Sequence, residues 1–218
     1  MQDAVINING NSIQTLELIF LMTGITLLPF ALLMMTCFTR VIIVLSFARS
    51  AMGVQASPPN SVLIGLALFL TLFIMSPVVT QITETAYVPY RNEEITQEEA
   101  LARGIVPLKS FMLRNTEQNT LDLFEGFAQI EAPEDVQELP LTVVVPAFVT
   151  TELKRALLMG FLIYIPFLLI DIVVASTLMS MGMIMLPPAT IALPFKLLLF
   201  ITVNGWELLF STLVQGFN

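Results

Sequence analysis

Met179, Met181, Met183 and Met185 occupy alternate positions within Leu178–Pro188. Thioethers at that density could ligate a soft metal such as Cu(I). They could also close a gap and re-pack around varied contents, because Met is unbranched, flexible and polarizable. Period two is not a helical face, whose apolar neighbours recur at three and four. Gly182, Pro187 and Pro188 also oppose a continuous helix. The stretch therefore reads as a methionine-lined turn at the tip of a hydrophobic hairpin. Three roles are open to it: core filler at a helix end, a Cu(I) site, or a gasket around a pore. The gasket needs several copies, since one hairpin cannot encircle a conduit.

Two ionisable residues sit in apolar surroundings. Asp171 lies inside a run of otherwise uncharged residues, and Lys196 inside Thr190–Val203. Charges at such positions are costly and are paired or face a cavity. They make either an ion pair, within the chain or between subunits, that fixes packing, or part of a proton or ion relay. The chain has no His, and Cys37 is its single cysteine. That composition excludes an intrachain disulfide and any His or multi-Cys metal site. It also removes the usual general base and the Cys/His and Ser/His nucleophile pairs. There is no G-x-G-x-x-G or Walker sequence. The sequence points away from an enzyme, with no catalytic, cofactor-binding or metal residues to name.

The elements that hold these residues are hydrophobic. Of 218 residues 56% are apolar and 12% charged, against about 45–50% and 25% in an ordinary soluble domain. Uncharged runs cover Leu18–Phe38, Val62–Thr80 and Ala156–Ile170, the last continuing past Asp171 to Met185. About 20 apolar residues cross a bilayer core as helix. The fold is read as an all-α membrane-complex protein: two long, kinked helical hairpins with a small acidic helical insert between them. Residues 1–14 form a polar N-terminal segment, 15–82 the first hairpin, 83–145 the insert, and 146–218 the second hairpin with its Met-rich tip. Pro29 is expected to kink the first element, and Pro146, Pro166 and Pro194 to kink or begin helices in the second hairpin. The tips echo one another. Met52-Gly53, four residues, then Pro58-Pro59 recurs as Met181-Gly182, four residues, then Pro187-Pro188.

Charge separates the insert from the rest. Residues 81–142 hold twelve acids and four bases, the whole of the net −8, and offer no basic footprint for nucleic acid. Thr96-Gln97-Glu98-Glu99 is a capping box, with Gly104 a stop and Pro107 starting a second helix to about Asn115. A further helix is expected over 119–130. Leu101, Phe111, Leu113, Leu121, Phe124 and Phe127 would give this small domain a core. Arg40 and Arg49 flank the first tip and place it in the cytoplasm by the positive-inside tendency. Lys154 and Arg155 contradict that topology. Residues 1–15 have neither a basic n-region nor a short apolar core, so no signal peptide is expected in the sequence as given.

Long ordered blocks carry a resemblance. They are MMTCFTRVIIV at 34–44, Pro58-Pro59-Asn60, GLALFLT at 65–71, FIMSP at 73–77, FMLR at 111–114, PAFVTTELK at 146–154, IPFLLID at 165–171, and Leu186 through Lys196. On these the chain resembles the type III secretion export-gate family, in its flagellar branch, over about residues 15–215. The resemblance implies helical-hairpin subunits, a pentamer within a hetero-complex with FliQ and FliR, assembled into a helical conical ring. That gate would stand at the periplasmic side of the bacterial inner membrane in the flagellar basal body, beside FlhA/FlhB. It would pass unfolded rod, hook and filament proteins. By the same resemblance Met181, Met183 and Met185 lie at a constriction, where Ile184 replaces a methionine common in the family. Asp171 and Lys196 match its buried acid and base, and the insert would be periplasmic, packing between copies. Family members usually carry a cleaved signal peptide, and none is expected in the sequence as given. The alternatives are the injectisome counterpart and a small-ion or copper transporter.

Overall fold

A computed structural model describes residues 5–8, 11–54, 57–130, 133, 135–183 and 185–217, with side chains from Leu18 onward. At its centre two helices cross: α2 (Phe38–Ala51) and α7 (Leu141–Ser180). Their contact face is a stripe of small and branched residues, with Val41, Val44, Ala48 and Ala51 facing Ala156 and Gly160. Gly160 allows the approach. A Cβ there would fall 2.5 Å from the Phe47 ring.

The remaining elements wrap this crossing. An antiparallel hairpin of β1 (Val5–Ile8) and β2 (Asn11–Gln14) pairs Val5 with Gln14 and Ile8 with Asn11. It adds a small strand element to an otherwise helical chain. The alternation V-I-N-I before Asn9-Gly10 is a hairpin signal that reading the segment only as polar passes over. Helix α1 (Thr15–Met34) follows and runs through Pro29. The bend comes instead at residues 35–37, where the axes of Leu18–Met34 and α2 differ by 67°. There Thr36 Oγ1 donates to Leu33 O at 2.9 Å and accepts from Phe38 N–H at 3.3 Å. The hydroxyl satisfies backbone groups that a break would orphan.

Helix α3 (Asn60–Ile82) does not stop at the expected edge of the insert. A wider π turn over Thr83–Tyr87 and a short α4 (Val88–Arg91) extend it to one apolar helix of 32 residues. Helix α5 (Gln97–Asn115) opens on the Thr96 capping box, with Thr96 and Glu99 bonded reciprocally. It then continues through Gly104 and Pro107, correcting the expected break. An interior proline costs about 3 kcal/mol, but Pro107 is itself buried, beside Phe111 and Met112. Tertiary burial outweighs the local signal here. Helix α6 (Gln118–Ala128) ends where Gln129 turns left-handed, at φ 54°.

The insert does not build a core of its own. Phe111, Met112 and Leu121 pack with Val143, Val144 and Phe148 of α7 and with Cys37. Leu101 and Phe127 stay 62% and 70% exposed. The second hydrophobic cluster, around Val44, Leu45, Leu63, Ala67 and Leu213, lies between the hairpins.

Helix α7 starts five residues before Pro146 and carries Pro146 and Pro166 inside it. Its 40 residues span about 60 Å at 1.5 Å per residue. The last element is α8 (Pro188–Thr202), which runs through Pro194, then α9 (Gly205–Gln215) after a 59° bend. The bend sits at Asn204, left-handed at φ 50°, rather than at Pro194. Gly205 is needed because a Cβ would overlap the Phe200 ring. By length and composition two helices suffice to cross a membrane, or up to four if each bent pair is one span.

Gly160→Leu should lower the thermal midpoint of the purified protein in detergent, overpacking of a filled contact costing about 1–3 kcal/mol. An unchanged midpoint would show that α2 and α7 do not depend on this approach.

Candidate gate tip and the charges behind it

Both hairpin tips are built from the same two devices, a left-handed glycine that stops one helix and prolines that start the next. At the second tip Gly182 has φ +74°. Its N–H donates to Met179 O, and Met183 N–H reaches back to Leu178 O, each at 3.0 Å. This doubly bonded stop satisfies the last carbonyls of α7. Pro187 then caps α8, its carbonyl accepting from Thr190 N–H at 3.2 Å. Among the described residues, its two chain neighbours aside, no heavy atom lies within 4 Å of a Cβ at Gly182. Met181, Met183 and Met185 are 64%, 43% and 97% exposed. Core filler within the chain does not describe side chains so placed. Ile184 lies outside the described residues.

The first tip repeats the grammar in another setting. Gly53 has φ +76° and donates to Ser50 O at 3.1 Å, while Pro59 caps α3. Arg49, which flanks this loop, closes it by donating to Asn60 Oδ1 at 2.6 Å and to the Pro58 carbonyl at 3.2 Å. Met52 is buried. A Cβ at Gly53 would sit 3.7 Å from Leu193 Cδ1 and 3.8 Å from Lys196 Nζ. One tip is therefore docked on α8 and the other is free.

Asp171 and Lys196 meet. Lys196 Nζ donates to Asp171 Oδ2 at 2.6 Å, joining α7 to α8 within one chain. Lys196 is buried and Asp171 half-buried. Met181 follows Asp171 by ten positions, about 15 Å of helix. The pair clamps the two arms of the hairpin partway along its stem and beside the docked first tip.

A second buried pair escapes a reading by hydropathy. Arg40 on α2 grips Glu152 on α7 in a fork, Nε to Oε2 at 2.8 Å and Nη2 to Oε1. Its remaining arm, Nη1, donates to Gly216 O at 2.9 Å. The guanidinium carbon lies 3.6 Å from the centre of the Phe217 ring. Arg40 and Glu152 are only 2% and 0% exposed. Beside Arg49, Arg40 looks like a loop flank, and next to Lys154 and Arg155, Glu152 looks like surface. The signal that finds them is spacing. Arg40 shares a helical stripe with Val44, Ala48 and Ala51, and Glu152 lies on Val144, Phe148, Ala156 and Gly160 at intervals of four.

The basic pair that conflicts with a simple topology ties the insert to α7. Arg155 Nη1 donates to Asn115 O at 3.0 Å, at the end of α5, where a cation suits the exposed carbonyls. Lys154 Nζ donates to Glu117 Oε2 at 2.6 Å and holds that carboxyl below its ordinary range. The attraction therefore persists at neutral pH and is lost as acid protonates Glu117. Glu152→Ala, leaving Arg40 buried and unpaired, should destabilise the chain by about 3–5 kcal/mol. Adding Arg40→Met should recover most of that loss. Denaturant unfolding in detergent measures both, and a double variant no more stable than Glu152→Ala would contradict the pairing.

Comparison with known proteins bears on what this arrangement serves. The FliP family profile matches residues 21–213. The chain is 53% identical over 206 residues to the Flagellar biosynthetic protein FliP of Pectobacterium carotovorum subsp. carotovorum, covering 94% of this chain and 79% of that one. It is 50% identical over 207 residues to the protein of that name in Bacillus subtilis (strain 168), covering 95% and 94%. For the one in Aquifex aeolicus (strain VF5) the identity is 47% over 211 residues, covering 96% and 88%. With its apolar helices and these matches, the chain belongs to the FliP family, membrane components of the flagellar export apparatus.

Proposed function

We propose that the chain is a pore-forming subunit of the flagellar protein export gate. Several copies, a pentamer with FliQ and FliR, bring their α7–α8 tips together so that methionines close the conduit until a substrate enters. The observation that carries this reading is the free tip. Met181 and Met185 project beside a helix stop whose glycine no described side chain beyond its immediate neighbours approaches, on a stem clamped by Asp171 and Lys196. Thioether side chains change rotamer at little cost, so such a ring can seal around nothing and then conform to an unfolded chain. Its cargo would be rod, hook and filament proteins, delivered beside FlhA/FlhB, with the insert on the periplasmic side of the inner membrane packing against neighbouring copies.

Supporting observations lie on the outside of the hairpins. Phe20, Phe69 and Phe161 are 76%, 74% and 61% exposed, on helices that need lipid or protein around them. Asp171 and Lys196 are engaged with one another, which favours packing over a relay. The relatives reported above are flagellar by name, which favours flagellar cargo over that of an injectisome.

Deleting residues 183–185 should leave assembly intact and make the closed gate leak small solutes. Ion permeability of vesicles bearing the deleted complex measures this, and unchanged permeability defeats the gasket. Asp171→Ala should abolish co-purification with FliQ and FliR, because it strands a buried ammonium. Lys196→Ala should do so less completely, since it strands a half-exposed carboxylate. Normal recovery of the complex with Asp171→Ala would refute the clamp.

A further inference from the structure

Helix α9 is attached in an unusual way. At its start Asn204 adopts a left-handed conformation, which Asn tolerates as a single residue. The Phe200 and Trp206 rings meet there edge to face at 5.2 Å. Leu209 and Leu213 reach the core between the hairpins. Around those two anchors the fit to α7 is incomplete. One apolar gap of about 200 Å³ lies among Met159, Leu162, Leu208 and Thr212, and another of about 360 Å³ among Leu162, Pro166, Val203 and Leu208. Both gaps are clefts that open to the outside of the chain, so along them the helix body makes no contact with α7.

The far end is fastened by different chemistry. Gly216 gives its carbonyl to Arg40 Nη1, and a Cβ at Gly216 would stand 3.2 Å from that same nitrogen. Phe217 is buried between two partners, the Arg40 guanidinium at 3.6 Å and the Phe111 ring, stacked at 6.0 Å. Phe111 belongs to α5 of the acidic insert. The seat of Phe217 therefore has one wall from the first hairpin and one from the insert, within the cluster that also holds Val144 and Phe148 of α7.

We infer that α9 is a strap, hinged at Asn204 and fastened at Gly216–Phe217, whose fastening requires the insert to be docked because Phe111 forms part of the seat. Withdrawal of α5 takes away the stacked ring and exposes the Arg40 face to water. Phe217 then loses both its aromatic partner and a desolvated cation. The strap lifts about Asn204 and the two clefts beside it widen. This device goes beyond the sealing role of the methionine tip and does not rest on it.

Distance measurement between nitroxides tests this on the full chain in its detergent-solubilised complex. Labels go at Leu208→Cys on α9 and Leu162→Cys on α7, both more than half exposed, in a Cys37→Ala background diluted with unlabelled chain. A second pair, Ser50→Cys and Leu157→Cys, reports the α2–α7 crossing. The parent should give one narrow 162–208 distance. Phe217→Leu, which keeps an apolar group and removes the ring, and Phe111→Leu, on the insert, should each broaden it at least twofold while the 50–157 distance stays narrow. An unchanged 162–208 distance in both variants overturns the strap. Equal broadening of both distances overturns it too, because α9 would then not be a separately fastened element.

Discussion

One fork of hydrogen bonds sets the frame of this molecule. Arg40 and Glu152 bring opposite charges into the contact between α2 and α7, where nearly every neighbour is apolar. Removing two ions from water is costly, and an apolar pair of the same volume often does as well or better for stability. What the fork supplies is a single answer. Two helices meeting through Ala, Val and Gly can slide by a turn with little loss of burial, whereas a planar guanidinium fits its carboxylate in one register. With that register set, Gly160 meets Phe47, the rings of Phe148 and Phe111 meet edge to face, and the third arm of Arg40 is left pointing at Gly216.

Much of the frame was legible because it rests on local chemistry. The uncharged runs became helices, Thr96 and Glu99 closed their box, and each Met-Gly of the echo became a left-handed stop before a proline start. Asp171 and Lys196 stood out because charge is conspicuous in a long apolar run, and they meet. What was not legible depends on partners distant in sequence. Pro29 and Pro194 read as kinks, yet the bends fall at Thr36 and Asn204, where a hydroxyl bond and an αL residue make a break tolerable. Gly104 and Pro107 read as a boundary, yet burial of Pro107 keeps α5 whole. Arg40 and Glu152 hid because each has other charges nearby in sequence, and only helical spacing sets them apart.

Lys154 and Arg155 make the same point for topology. A rule that counts cations beside apolar runs treats them as free to choose a side of the membrane. Here they are bound to Glu117 and to the last carbonyl of α5. They fasten the insert to the helix that carries the second tip, so their placement follows packing. The acidic insert is in turn less a domain than a cover, its aromatic residues divided between α7 and open surface.

The stop at Gly182 has a consequence for how such a protein can vary. It is made of backbone bonds, and among the described residues no side chain beyond its immediate neighbours stands against the glycine. Residues beyond it can change in size or polarity without disturbing the register of the stem or the pairing beneath. If the tip lines a conduit as proposed, a lineage facing different cargo could alter the bore and stickiness of that aperture one residue at a time and leave folding untouched.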